Sequence, residues 1–92
     1  MFSQFLFIWK SIISSSDGTK LAACVNEGGY IYTSTDSGIN WTTQTYIGSR
    51  NWYSITSSLD VSKLAACVRS GYIYTSSDSG ETWTTQTNSG SR

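Results

Sequence analysis

The sequence predicts an all-β protein of two similar units, each a four-stranded antiparallel sheet, and three observations carry that expectation. The chain repeats itself. Lys20-Leu21-Ala22-Ala23-Cys24-Val25 returns as Lys63-Leu64-Ala65-Ala66-Cys67-Val68 at a shift of 43, and residues 30–38 return as 72–80 at a shift of 42, with only Thr35 changed, to Ser77. A period near 42 over two units falls in the range of repeat architectures, in which one unit cannot bury its apolar face alone. The composition suits short strands and tight turns: there is no Pro, and Ser, Thr, Gly and Tyr are abundant. No segment places apolar residues at the 3.6-residue spacing of an amphipathic helix.

Each unit resolves into four strands. The first is expected at 9–14 and again at 52–57. It is followed by the polar turn Ser15-Ser16-Asp17-Gly18-Thr19, whose Asp-Gly is a strong hairpin signal. The second copy, Ser58-Leu59-Asp60-Val61-Ser62, lacks the Gly, so a different turn type is expected there. The second strand, 21–25 or 64–68, is a continuous apolar run, as in a strand covered on both faces. Its alanines would let neighbouring layers approach closely. A short link, Asn26-Glu27-Gly28-Gly29 or Arg69-Ser70-Gly71, absorbs the one-residue difference between copies. The third strand, 30–34 or 72–76, alternates, with Tyr30 and Tyr32 on one face and Ile31 on the other. The fourth, 41–45 or 83–87, reads Trp-Thr-Thr-Gln-Thr in both copies.

The totals exclude several function classes. A chain of 92 residues is one domain at most, and six basic residues balance six acidic ones. Charges spread singly on a neutral chain leave no footprint for nucleic acid and no basic stripe for a membrane. The absence of His removes the commonest general base and metal ligand, and no metal or cofactor is implied. Cys24 and Cys67 occupy equivalent places in the two copies, which in neighbouring repeats usually lie too far apart for a disulfide. Both read as small buried apolar residues, and free thiols fit a reducing compartment such as the cytoplasm. The apolar run Phe5-Leu6-Phe7-Ile8-Trp9 is too short to span a bilayer and lacks the flanks of a signal peptide. The expected organisation is an apolar arm at 1–7, a first unit at 8–50 and a second at 51–92.

Between strands three and four stands Ser34-Thr35-Asp36-Ser37-Gly38-Ile39-Asn40-Trp41, repeated as Ser76-Ser77-Asp78-Ser79-Gly80-Glu81-Thr82-Trp83. An Asp two residues before a Gly can accept hydrogen bonds from turn N–H groups, the Gly supplies a positive φ, and the Trp can fold back over the turn. This S-x-D-x-G-x-x-W pattern resembles the Asp-box, or BNR repeat, and both copies match it in full. The resemblance implies a β-propeller with sialidase-like blades, and a structural role for Ser34, Asp36, Gly38, Trp41, Ser76, Asp78, Gly80 and Trp83. Four strands in about 40 residues also fit one propeller blade.

Propellers close with about 4–8 blades, so two blades need completion. Gly48-Ser49-Arg50 matches Gly90-Ser91-Arg92, which suggests that a second chain continues where the first ends. Head-to-tail homo-oligomerisation is therefore expected, most simply a trimer of six blades, alternatively a tetramer of eight. The arm would seal the joint between chains. A fragment of a longer Asp-box propeller is the duller alternative.

Up-and-down connectivity gathers the loops after strands two and four on one rim. There Tyr46, Arg50, Asn51, Asn26, Glu27, Arg69 and Arg92 are candidates for hydrogen bonding and stacking on a sugar or other polar ligand. The function expected is a non-catalytic binding or scaffold module, lectin-like if the ligand is carbohydrate. The resemblance offers one alternative, a sialidase-like glycoside hydrolase, which needs an arginine cluster, a tyrosine nucleophile helped by a glutamate, and an acidic proton donor. Of the carboxylates outside the Asp-boxes only Glu27 is well placed, and Ser70 replaces it in the second copy. No catalytic residue can be carried over, and no enzyme activity is expected.

Overall fold

A computed structural model describes residues 9–25 and 28–87. The expected arm at 1–7, and Asn26, Glu27 and Arg92 among the rim candidates, lie outside the described residues. The strands are β1 (Trp9–Ser14), β2 (Leu21–Val25), β3 (Ile31–Ser34), β4 (Thr42–Gln44), β5 (Trp52–Ser57), β6 (Leu64–Val68), β7 (Ile73–Ser76) and β8 (Thr84–Gln86). They form two four-stranded antiparallel sheets, ordered β1-β2-β3-β4 and β5-β6-β7-β8. The third strands start one residue later than expected. The fourth shrink to three residues because Trp41 and Trp83 belong to the preceding turn, where their indoles are bonded.

Each sheet has two chemically different faces. In sheet 1 the first carries Ile13, Ala22, Cys24 and Ile31. The second carries Trp9, Ile12, Ala23 and Tyr32, as the cross-strand pairs Ile13↔Ala22, Ile12↔Ala23 and Ala23↔Tyr32 require. Trp9 and Ile12 are three residues apart, so strict alternation would separate them. The register shifts between Trp9 and Ser11, and a bulge at Lys10 returns both to the same face. The same shift between Trp52 and Ser54 does this for Trp52 and Ile55 around Tyr53.

The sheets stack with the first face of sheet 1 on the second face of sheet 2. One core cluster joins Ala22, Cys24 and Ile31 to Trp52, Ile55, Leu64, Ala66, Tyr74 and Trp83, with Ile13 packed against it. Alanines at 22 and 66 let the layers close. Strands β1 and β5 lie nearest across this joint. The joint also takes one side of each sheet out of symmetry. β2 is buried along most of its length, whereas β6 keeps Ala65 and Cys67 only half-buried, because the first face of sheet 2 looks outward.

The turn after β5 departs from the expectation of a different type. Val61 adopts φ 64° where Gly18 adopts φ 76°, and Val61 N–H donates to Ser58 O as Gly18 N–H does to Ser15 O. Asp60 holds this turn as Asp17 holds the first: each carboxylate accepts from the Ser two residues before and from the backbone and hydroxyl two residues after. A positive φ at a β-branched residue costs on the order of 1–3 kcal/mol. Burial of Val61 in the core opposes that cost.

Candidate functional site

Three surfaces carry the chain's distinctive residues: the S-x-D-x-G-x-x-W loops, the opposite rim, and the outward face of sheet 1. In the first loop, Asp36 Oδ1 accepts from Ser34 Oγ at 2.8 Å and from Asn40 N–H at 2.8 Å, while Oδ2 accepts from Asn40 Nδ2 at 2.8 Å. Ser34 Oγ in turn accepts from Gly38 N–H at 2.9 Å. Trp41 Nε1–H donates to Gly38 O at 2.9 Å, which folds the indole back over the turn. The second loop repeats the set: Asp78 takes Ser76 Oγ, Thr82 N–H and Thr82 Oγ1, and Trp83 Nε1–H donates to Gly80 O at 2.8 Å.

Gly38 and Gly80 lie at φ 91° and 94°, and a Cβ on either would stand 3.2 Å from a leucine methyl of β2 or β6. Ser37 and Ser79 also take φ 63°, a strain the spacing did not disclose. Their N–H groups donate to Thr19 O and Ser62 O, which ties each loop to the neighbouring β-turn. Hydrogen bonds to the charged form hold these carboxylates low. Thr82 and Ser76 hydroxyls and the Thr82 N–H bring Asp78 down to about 2, and Asn40 chiefly lowers Asp36 from the usual 3.8. The turn aspartates behave likewise, with Asp17 and Asp60 both brought to about 2 by Thr19 and Ser62.

On the opposite rim the candidates divide. Arg50 is a seam residue: its N–H donates to Gly29 O at 3.0 Å, its Nε to Ile47 O at 3.1 Å, and its guanidinium lies 4.9 Å from the Tyr74 ring centroid. Arg69 N–H donates to Asn51 O at 3.0 Å, joining the two loops on this rim. Ser49 Oγ donates to Gly28 O across the same seam. Tyr46, Asn51 and Arg69 keep exposed side chains. Tyr46, Arg50, Asn51 and Arg69 are thus brought to one rim, with Arg50 already engaged.

The third surface carries no polar motif, and sequence reasoning passed over it. Trp9, Ile12, Tyr32 and Trp41 line a groove of about 620 Å³ on the outward face of sheet 1. Trp9 and Tyr32 meet edge-on with centroids 5.5 Å apart. Their repeat partners Trp52 and Tyr74 meet edge-on at 5.7 Å, but inside the joint between the sheets. Ile12 is 61% exposed against 3% for Ile55, and Trp41 40% against 6% for Trp83. The signal was present in the repeat itself, since residues buried in one copy have identical counterparts in the other. Burial also pushes the Cys24 thiol up to about 11 within the joint.

Two stacked, sequentially ordered four-stranded sheets define a β-propeller type of fold. The chain is similar in structure to YCF48 from Cyanidioschyzon merolae, a β-propeller protein, with a TM-score of 0.69 at 14% identity. The likeness covers 86% of this chain and 23% of that one. No family model and no curated protein matches the sequence.

Proposed function

We propose that this chain is a non-catalytic β-propeller module, a binding or scaffold unit whose two-sheet protomers assemble head to tail with copies of themselves. Six sheets from three chains, alternatively eight from four, would close the ring. One observation carries the reading: the aromatic face buried in sheet 2 recurs on sheet 1 as an exposed surface. An apolar patch of this kind marks an interaction surface.

The S-x-D-x-G-x-x-W loops are read as Asp-box (BNR) clasps. Their carboxylates support structure rather than catalysis, because a general acid needs a raised pKa and these are held low by bonds inside their own turns. The ligand-facing rim is the one bearing Tyr46, Asn51 and Arg69, whose exposed ring, amide and guanidinium suit a sugar or similar polar ligand. A glycan array on the assembled protein, paired with a fluorogenic sialoside, tests this. Binding or silence without turnover is expected. Turnover that survives repurification would overturn the non-catalytic reading.

A further inference from the structure

We infer that the exposed aromatic face of sheet 1 is the seat for the outward face of sheet 2 from a second copy of this chain, in the register that sheets 1 and 2 already use with each other. The inference rests on the self-assembly proposed above and names its surfaces. Within one chain, Ala22, Cys24 and Ile31 pack against Trp52, Ile55, Tyr74 and Trp83. The repeat supplies both halves again, on the outward faces of the two sheets. Sheet 2 presents Ala65, Cys67 and Ile73 outward, with Ile73 40% exposed where Ile31 is fully buried. Sheet 1 presents Trp9, Ile12, Tyr32 and Trp41. In the repeat Thr56 stands for Ile13, Gly18 for Val61 and Ser89 for Ile47, while the other apolar residues of the first joint recur unchanged.

The bulge residues identify the occupant as a copy of this chain. Lys10 Nζ stands 4.7 Å from the Tyr53 ring centroid across the internal joint, and both residues hold the same place in their repeats. Copies docked in the same register would set Tyr53 of one beside Lys10 of the next. Every joint then pairs one cation with one ring, and two cations never meet. Isologous pairing of two sheet 1 faces would bring no Tyr53 to Lys10, because Tyr53 stands on sheet 2. The contact is therefore heterologous, blade 2 onto blade 1, with a Lys-Tyr alternation running around it.

Native mass spectrometry of the whole 92-residue chain and two variants tests it. Ile12→Glu spoils only the receiving face and Ile73→Glu only the donating face, both at positions exposed in the single chain, so each variant keeps its fold by circular dichroism. Burying an unpaired carboxylate should weaken the joint on the order of a hundredfold or more, leaving each variant monomeric alone. Mixed together they should form a dimer, since one intact face remains on each. Tyr53→Lys should weaken assembly further than Lys10→Tyr, and the double swap should recover the two- to fivefold or so that one cation–π contact supplies. If the parent chain assembles but both glutamate variants keep its mass, copies meet through another surface; this inference falls while the proposed function stands. If the parent chain is monomeric, both fall, and the face belongs to some other cover, such as a further sheet of a longer polypeptide.

Discussion

Asp36 and Asp78 each tie together a turn that also contains two residues at positive φ, so their bonds hold a conformation the backbone would otherwise leave. Replacing either by Ala should lower Tm by a few degrees, about what one or two hydrogen bonds contribute in a domain of this size, while fold and mass stay unchanged. Thermal melts check this. The carboxylates also set an acid limit. Asp17, Asp60 and Asp78 keep their charge in the folded chain down to about 2, against 3.8 ordinarily. Their contribution is therefore complete above pH ~4 and is lost as pH falls toward 2. Urea midpoints measured across that interval should fall, and Asp78→Asn should flatten the decline. Gly80→Ala, which meets a Leu64 methyl at 3.2 Å from a φ of 94°, should cost about 1–3 kcal/mol by urea titration.

Among the elements, equivalent strands carry unequal loads. Trp83 and Trp41 make the same indole bond to the glycine carbonyl of their loops, but only Trp83 is buried against Trp52, at 6.4 Å between centroids. Trp83→Ala should destabilise the single chain by about 3–5 kcal/mol, and Trp41→Ala by less than half of that, in dilute denaturant titrations. Equal losses would mean that the two faces are equally covered. Here the limits of local sequence become visible. The strands and turn bonds follow from alternation and the Asp-to-Gly spacing, both written within a dozen residues, and from the repeat that states each of them twice. Which of two identical tryptophans is buried is not written locally, because stacking order alone breaks the equivalence. The bulge at Lys10, which puts Trp9 and Ile12 on one face, leaves no mark in the hydropathy pattern. Nor did the missing Gly foretell Val61, whose strained turn is held by burial and by Asp60, features of the joint and loop together.

At the scale of the whole molecule, the internal joint acts as a template. Two faces meet inside the chain, and the same two faces, nearly unchanged in sequence, look outward at its two sides. A propeller-type arrangement extends this stacking until the last sheet meets the first, and the candidate rim would then repeat Tyr46, Asn51 and Arg69 once per chain around a common mouth. That repetition would give any ligand several weak contacts rather than one strong one. The most direct measurement is the solution mass of the 92-residue chain by light scattering at micromolar concentration. Self-completion predicts three times, alternatively four times, the 10.1 kDa of one chain. A well-folded species of 10.1 kDa that persists across the concentration series would contradict it.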